Sequence, residues 1–166
     1  MGDIEEAGSS SFDQARFREV LGHFATGVTV VTTYDERGPT GFTCQSFMSL
    51  SLDPPLVAIS PSKTSDTWPR IAASGAACVN ILSSDHEDIA RTFAGKGESK
   101  FEGVGFRRGY NGSPILDGSI AWIEGTVDEA YDAGDHFLVV LRVSEVGTSK
   151  GSPILFYRGG FGAFTS

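Results

Sequence analysis

The sequence predicts a mainly β protein, an antiparallel, Greek-key-like barrel with its helices at the periphery, and three observations predict it. Runs dense in β-branched and aromatic residues recur along the chain, from Val28-Thr-Val-Val-Thr-Thr-Tyr34 to Ile154-Leu-Phe-Tyr157, the composition that packs on a pleated surface. The chain carries 21 glycines, many of them in the breaks between these runs, as many short strands and tight turns require. Residues 120–131 and 136–146 form two long strand-like runs joined by the Gly134-Asp135 turn, a hairpin that fits an alternating βαβ sheet poorly. Closing such strands into a barrel removes the exposed edges of an open sheet.

The elements follow in chain order. Residues 1–10 offer little to bury and are expected to form a flexible tail, leaving residues 11–166 as one domain. Ser11 and Gln14 have capping-box spacing, and Phe17, Val20, Leu21 and Phe24 recur at helical intervals as one apolar stripe, which predicts a helix ending near Gly27. A strand starts at Val28, turns at Asp35-Glu-Arg-Gly-Pro39 and returns over residues 41–48. After Pro54-Pro55, residues 56–60 read as a third, buried strand. Residues 65–73 and 84–94 predict two short helices, the second opened by Ser84 and Glu87 in capping-box spacing, with a strand over 76–82 between them. Strands at 120–131, 136–146 and 154–157 complete the chain.

Composition narrows the function. At 166 residues, 40% apolar and 20% charged, the chain has the size and make-up of one globular domain. Lys plus Arg number 13 against 21 Asp plus Glu, a net charge of −8 that repels a polyanion, so nucleic acid is not an expected partner. A nucleotide cofactor remains compatible, because backbone N–H groups, hydroxyls and one or two cations suffice for a phosphate. Cys44 and Cys78 stand alone, without a Cys-x-x-Cys pair or a Cys/His cluster, so neither a disulfide framework nor a metal site is expected. The acidic start lacks a signal-peptide pattern and no apolar run nears the roughly 20 residues of a membrane span. The expectation is a cytoplasmic protein without a membrane partner.

No Gly-x-Gly-x-x-Gly after a strand, no Gly-x-x-x-x-Gly-Lys-[Ser/Thr] and no Gly-x-Ser-x-Gly occurs, which removes the main support for dinucleotide Rossmann, P-loop and α/β-hydrolase sites. The chemistry instead gathers at residues 40–51, where Thr40, Thr43, Gln45, Ser46, Ser49 and Ser51 crowd a strand-like stretch. Buried hydroxyls need partners. A flavin ring edge would supply them, and its phosphate could meet Ser60, Ser62, Lys63, Thr64, Ser65 and Thr67. Ordinary cross-strand pairs and caps account for the same hydroxyls, and composition alone favours that plainer account.

The order of motifs adds to this. Phe24-Ala-Thr-Gly-Val-Thr-Val-Val-Thr-Thr33, Gly41-Phe-Thr-Cys-Gln-Ser-Phe47 with Ser49-Leu-Ser-Leu-Asp-Pro-Pro-Leu-Val57, Gly134-Asp-His-Phe137 and Leu155-Phe-Tyr-Arg-Gly-Gly160 together resemble the short-chain NAD(P)H:flavin reductases, the reductase components of two-component flavin monooxygenases. The resemblance covers about residues 12–161. It implies a split β-barrel of the FMN-binding type, usually a homodimer with flavin near the subunit interface. It implies that Thr40, Gly41, Phe42, Thr43, Gln45 and Ser46 line the isoalloxazine and adjoining chain, with Ser60, Pro61, Ser65 and Thr67 nearer the phosphate and Phe93 packed near the flavin. Many relatives have Ala-Asn where this chain has Cys44-Gln45, so backbone contacts at those positions carry over more directly than side-chain ones. Cys44 is expected to pack rather than to act as a nucleophile. Lys100, followed by Phe101, is a further phosphate candidate.

By the same resemblance His136 sits beside the nicotinamide and orients it, while Tyr157, Arg158 and Gly159 approach the pyridine nucleotide, Arg158 offering a cation to its phosphates. The implied reaction is reduction of FMN or FAD by NADH or NADPH, with reduced flavin passing to a separate monooxygenase. A non-reducing flavin or haem carrier of the same barrel class is the alternative, and an oxidase or reductase of an organic substrate a second. Trp68 and Trp122 are read as core or interface residues, and His23 and His86 as structural.

Overall fold

The computed structural model describes residues 12–165, and its centre is a seven-stranded antiparallel sheet curled around an apolar core. In chain order the sheet's strands are β2 (Thr29–Asp35), β3 (Gly38–Cys44), β4 (Met48–Leu52), β5 (Pro55–Ile59), β6 (Ala76–Ile81), β9 (Ala121–Ala133) and β10 (His136–Thr148). A three-stranded sheet joins β1 (Thr26–Gly27), β11 (Ile154–Tyr157) and β12 (Gly160–Ala163), and a small hairpin joins β7 (Phe106–Arg108) to β8 (Pro114–Leu116). Three helices decorate it: α1 (Gln14–Leu21), α2 (Trp68–Ser74) and α3 (Glu87–Ala94).

The large sheet runs β3-β2-β6-β9-β10-β5-β4. β3 and β4 are therefore its two edges, and the ladder does not close between them as a complete barrel would. Side chains bridge the gap: Val31 of β2 and Cys44 of β3 share one core with Val57 and Ile59 of β5 and Val139 and Leu141 of β10, with Phe42 and Phe47 packed against it. This is the split barrel that the motifs implied.

β2 shows why its sequence is nearly continuous in β-branched residues. Residues Thr29 to Thr33 are all buried, because one face meets the barrel core through Val31 while the other, through Val30, meets α3's Ala90 and Phe93 and Leu116 of β8. A strand covered on both faces cannot alternate. The polar members are paired: Thr32 Oγ1 donates to the Pro114 carbonyl at 2.6 Å, and Asn80 Nδ2 donates to the Val30 and Pro114 carbonyls at 3.2 Å.

The β9–β10 hairpin extends 13 residues on each side, with register shifts between Val140 and Leu141 and between Val143 and Glu145. Such bulges bend a long ribbon so that it can wrap a barrel. Gly134, at φ 69°, makes the turn that an L side chain resists.

Several local expectations are corrected. The strand expected over residues 41–48 ends at Cys44; residues 45–47 leave the ladder and β4 begins at Met48. α1 stops at Leu21, well short of Gly27, and its N-cap is Asp13, whose Oδ1 accepts from Ala15 N (3.0 Å) and Arg16 N (3.1 Å). Ser11 and the tail at 1–10 lie outside the described residues. The apolar stripe of α1 is not buried: Phe17, Val20, Leu21 and Phe24 are all exposed, because no element among the described residues covers them. α3 starts at Glu87 after His86 rather than at Ser84. α2 starts at Trp68, three residues late, because Ser65 Oγ accepts from the Thr67 and Trp68 N–H groups in a turn before the helix.

Candidate functional site

A cleft of about 450 Å³ opens at the end of β3. One wall is Phe42, Thr43, Cys44, Gln45 and Ser46, the end of β3 and the residues after it. Opposite run Ser60, Ser62, Thr64, Ser65 and Asp66, the loop between β5 and α2. Phe93, Lys96 and Lys100 close it from the α3 side, and His136, first residue of β10, stands at its rim.

The crowded hydroxyls find partners inside the protein. Thr43 Oγ1 donates to the Ala90 carbonyl at 2.6 Å, Ser46 Oγ to the Ser60 carbonyl at 3.1 Å, and Ser60 Oγ to the Phe137 carbonyl at 2.8 Å. They tie the cleft's walls to α3, β5 and β10, so for these residues the plainer account of the sequence is the right one. What remains for a ligand is different. Among the described residues β3 pairs only with β2, so its outer edge carries backbone groups that no described strand satisfies, and residues 45–47 belong to no strand. Among the described residues the Gln45 amide has no side-chain hydrogen bond, and Gln45 is exposed on the cleft wall. Backbone groups, one free amide and a hydroxyl-rich loop suit a planar ring edge with a phosphate tail.

That loop is held partly by its own hydroxyls. Ser62 Oγ and Thr64 Oγ1 lie 3.0 Å apart, with Thr64 N donating to Ser62 Oγ at 3.2 Å. The loop is also fastened to the β9–β10 turn: Lys63 N donates to the Asp135 carbonyl at 2.9 Å and Phe137 N to the Pro61 carbonyl at 2.9 Å, which together make an antiparallel bridge between Ser62 and His136. Lys63 Nζ pairs with the Asp132 carboxylate. Pro61 is buried beneath the loop, in the neighbourhood expected for it but not on the cleft lining.

His136 Nδ1 lies 2.7 Å from Asp135 Oδ1. The His136 hydrogen bond, and secondly its charge, hold the exposed Asp135 carboxyl below its ordinary value. An ionised carboxylate only accepts, so Nδ1 carries the hydrogen of this contact and Nε2 is the nitrogen left for a ligand.

Lys100 reaches inward, its Nζ donating to the Gly41 carbonyl at 3.1 Å and the Phe93 carbonyl at 3.3 Å. Burial pushes its pKa down, and the nearby Asp66 opposes that shift. Two of its three N–H bonds tie β3 to α3. Phe93 is fully buried and stacks edge-on with Phe101 at 4.9 Å. Gly41 is required by packing: a Cβ there would meet the Val31 carbonyl at 2.9 Å and Phe93 Cε1 at 3.1 Å. Cys44 is buried, its Sγ 3.4 Å from Ser46 Oγ.

Twelve of the sequence-derived candidates thus line one cleft: Phe42, Thr43, Cys44, Gln45, Ser46, Ser60, Ser62, Thr64, Ser65, Phe93, Lys100 and His136. Thr40 and Thr67 line a neighbouring hollow of about 370 Å³ that shares Ser65 and Asp66 with it, and Thr67 Oγ1 donates to the Gly41 carbonyl at 3.3 Å. Tyr157, Arg158 and Gly159 are not brought to the cleft within this chain. They form the β11–β12 turn, with φ of 48° at Arg158 and 83° at Gly159, the pair of positive values a two-residue hairpin needs. Arg158 N donates to the Gly22 carbonyl and the Tyr157 ring meets His23 edge-on at 6.4 Å, so this turn is docked on the end of α1. Sequence reasoning missed Asp66, Gly95 and Lys96 as cleft residues; Lys96 beside Lys100, in a Gly-flanked loop after a helix, was the available signal.

Among the described residues no helix is long and apolar enough to cross a membrane and no cluster of metal-ligating side chains occurs.

Comparison with known proteins agrees with this geometry. Residues 21–165 match the family model described as flavin reductase like domain. The chain is 47% identical over 156 residues to the "Flavin-dependent monooxygenase, reductase subunit HsaB" of Mycobacterium tuberculosis, covering 92% of this chain and 83% of that one. It superposes on the crystal structure of a nitrilotriacetate monooxygenase component B homologue from Mycobacterium thermoresistibile with a TM-score of 0.89 at 47% identity, covering 92% and 87% of the two chains. It also superposes on the NADH:FAD oxidoreductase SgcE6 of Streptomyces globisporus C-1027, solved with NAD and FAD fragments, with a TM-score of 0.88 at 34% identity, covering 92% and 93%. The split barrel, the cleft at the end of β3 and these matches make one statement: the chain belongs to the flavin-reductase-like family.

Proposed function

We propose that this chain is an NAD(P)H:flavin oxidoreductase that reduces FMN or FAD by hydride transfer in the cytoplasm and supplies reduced flavin to a separate monooxygenase. The observation that carries this reading is the convergence on one cleft of the end of β3, the Ser60–Ser65 hydroxyls, Lys100 and His136. When bound, flavin supplies the hydride acceptor, N5, for the C4 hydride of the dihydronicotinamide. The protein's part is positioning. Residues 42–46 offer backbone groups and the Gln45 amide to the ring edge, Ser62, Thr64, Ser65 and Lys100 hold the phosphate, and His136 Nε2 orients the nicotinamide carboxamide. Hydride transfer itself needs no acid, base or metal from the side chains.

A homodimer completes the reading. The exposed α1 stripe and the apolar β4 edge, Met48, Leu50 and Leu52, have no cover among the described residues. A second copy supplies it, and its β11–β12 turn is the means by which Arg158 would reach a pyridine nucleotide.

The test is anaerobic mixing of the purified chain with NADH or NADPH and each flavin, followed at the flavin absorbance. Bleaching is expected; none with either donor refutes the reading. His136→Ala should slow bleaching about tenfold or more while leaving the flavin dissociation constant within a factor of about two. Equal turnover in the two proteins removes His136 from the site.

A further inference from the structure

The hollow beside the cleft gives the flavin site a direction. It begins where the cleft ends, at Ser65 and Asp66, and the loop at 95–98 walls both, with Gly95 and Lys96 on the cleft and Gly97 and Glu98 on the hollow. We infer, resting on the reductase reading above, that this hollow takes the adenosine half of FAD, so that the protein selects FAD over FMN.

Its chemistry differs from that of the cleft. The cleft's cations, Lys96 and Lys100, stand beside the hydroxyls of Ser62, Thr64 and Ser65, an arrangement for phosphate. Asp35 takes up the charge of Arg70, so the hollow sets Arg37 against Asp66 and Glu98. A wall richer in carboxylates than in free cations gives little to a second phosphate and suits a neutral nucleoside. The carboxylates accept, and a ribose and an adenine amino group donate. Arg70 is held in place: its Nε donates to Asp35 Oδ2 at 2.6 Å and its Nη2 to the Gly38 carbonyl at 2.9 Å. Arg37 is free to change partners. It pairs with Glu98 between the β2–β3 turn and the loop after α3, with side chains 61% and 76% exposed. An ion pair so exposed contributes little, so its planar guanidinium can turn from Glu98 onto an adenine face at small cost. FMN ends at its phosphate and leaves the hollow unfilled. FAD continues into it. The cleft and hollow, about 450 and 370 Å³, run on from one another at Ser65 and Asp66 and each have the size of a small-ligand site.

The experiment is equilibrium titration of the full chain with FAD and with FMN, without pyridine nucleotide, for the wild type and Arg37→Ala. Arg37 lies on an exposed turn, so the variant should fold as the wild type does. FAD is expected to bind about tenfold tighter than FMN, a difference of about 1.4 kcal/mol, and Arg37→Ala is expected to bring the ratio of the two constants to near one. Equal affinities in the wild type, or an unchanged ratio in the variant, overturn the inference. So does a variant whose FAD constant holds while its KM for NADH rises about tenfold, which assigns the hollow to the hydride donor. In all three cases NADH-dependent bleaching of flavin would persist and the reductase reading would stand. A wild type that neither binds nor reduces either flavin overturns both.

Discussion

Gly41→Ala probes the link between packing and site most directly. The added Cβ would lie 2.9 Å from the Val31 carbonyl oxygen, 3.1 Å from Phe93 Cε1 and 3.1 Å from Thr32 Cγ2, where unstrained carbon contacts sit at about 3.5–4.0 Å. None of the three neighbours can yield easily. Val31 is backbone in the β2–β3 ladder, while Thr32 and Phe93 are completely buried. β3 must therefore shift by about 0.5 Å, at the overpacking cost of about 1–3 kcal/mol, and it carries Phe42–Ser46 with it. Urea denaturation should show a lower midpoint with an unchanged slope, and flavin titration a severalfold weaker constant. Gly162→Ala is the control, since nothing lies within 4 Å of a Cβ there; it should fall within about 0.5 kcal/mol of wild type. A Gly41→Ala protein as stable as the control, with wild-type flavin affinity, would refute the claim that this close approach sets the cleft's shape.

Two further outcomes follow from the titrating groups. The Arg70 hydrogen bond holds the Asp35 carboxyl below its ordinary value of 3.8, so its stabilisation is present above that pH and is lost as pH falls through the lower folded value. Asp35→Asn should accordingly cost about 1 kcal/mol at pH 7, and the gap to wild type should narrow below about pH 4 in urea midpoints; a gap that widens on acidification contradicts the assignment. Burial, with the Glu124 charge second, pushes the Cys78 thiol up to about 12. A disulfide reagent at pH 8 should modify it only as fast as the protein opens, and immediate labelling in native buffer would show the core to be looser than described.

The strands were legible because they are one-dimensional patterns. β11 falls where Ile154-Leu-Phe-Tyr157 predicts, and β6, β9 and β10 within a residue or two of their expected bounds. What escaped depends on neighbours. β4's Met-Ser-Leu-Ser-Leu alternates as a strand should, but it follows so closely on β3 that the two read as one polar stretch. The α1 stripe has the spacing of a buried face, and periodicity does not say which chain buries it. The hydroxyls of Thr43, Ser46 and Ser60 announced an ordered cleft, yet their partners are carbonyls 14 to 77 residues away, contacts no local pattern encodes. The Tyr157–Gly159 turn shows the same limit, since motif order cannot tell that it docks on α1.

The fastening of the Ser62–Thr64 loop to the Asp135–Phe137 turn has a thermodynamic consequence. Two backbone hydrogen bonds, the pair that makes the Ser62–His136 bridge, join this loop to the start of the His136 strand as one body, so whichever nucleotide arrives first quiets the segment that the other must also order. The second ligand then meets a smaller entropic penalty, and by linkage the benefit is mutual. Flavin and pyridine nucleotide should each tighten the other's binding, and product flavin should loosen its hold once the oxidised nucleotide has left.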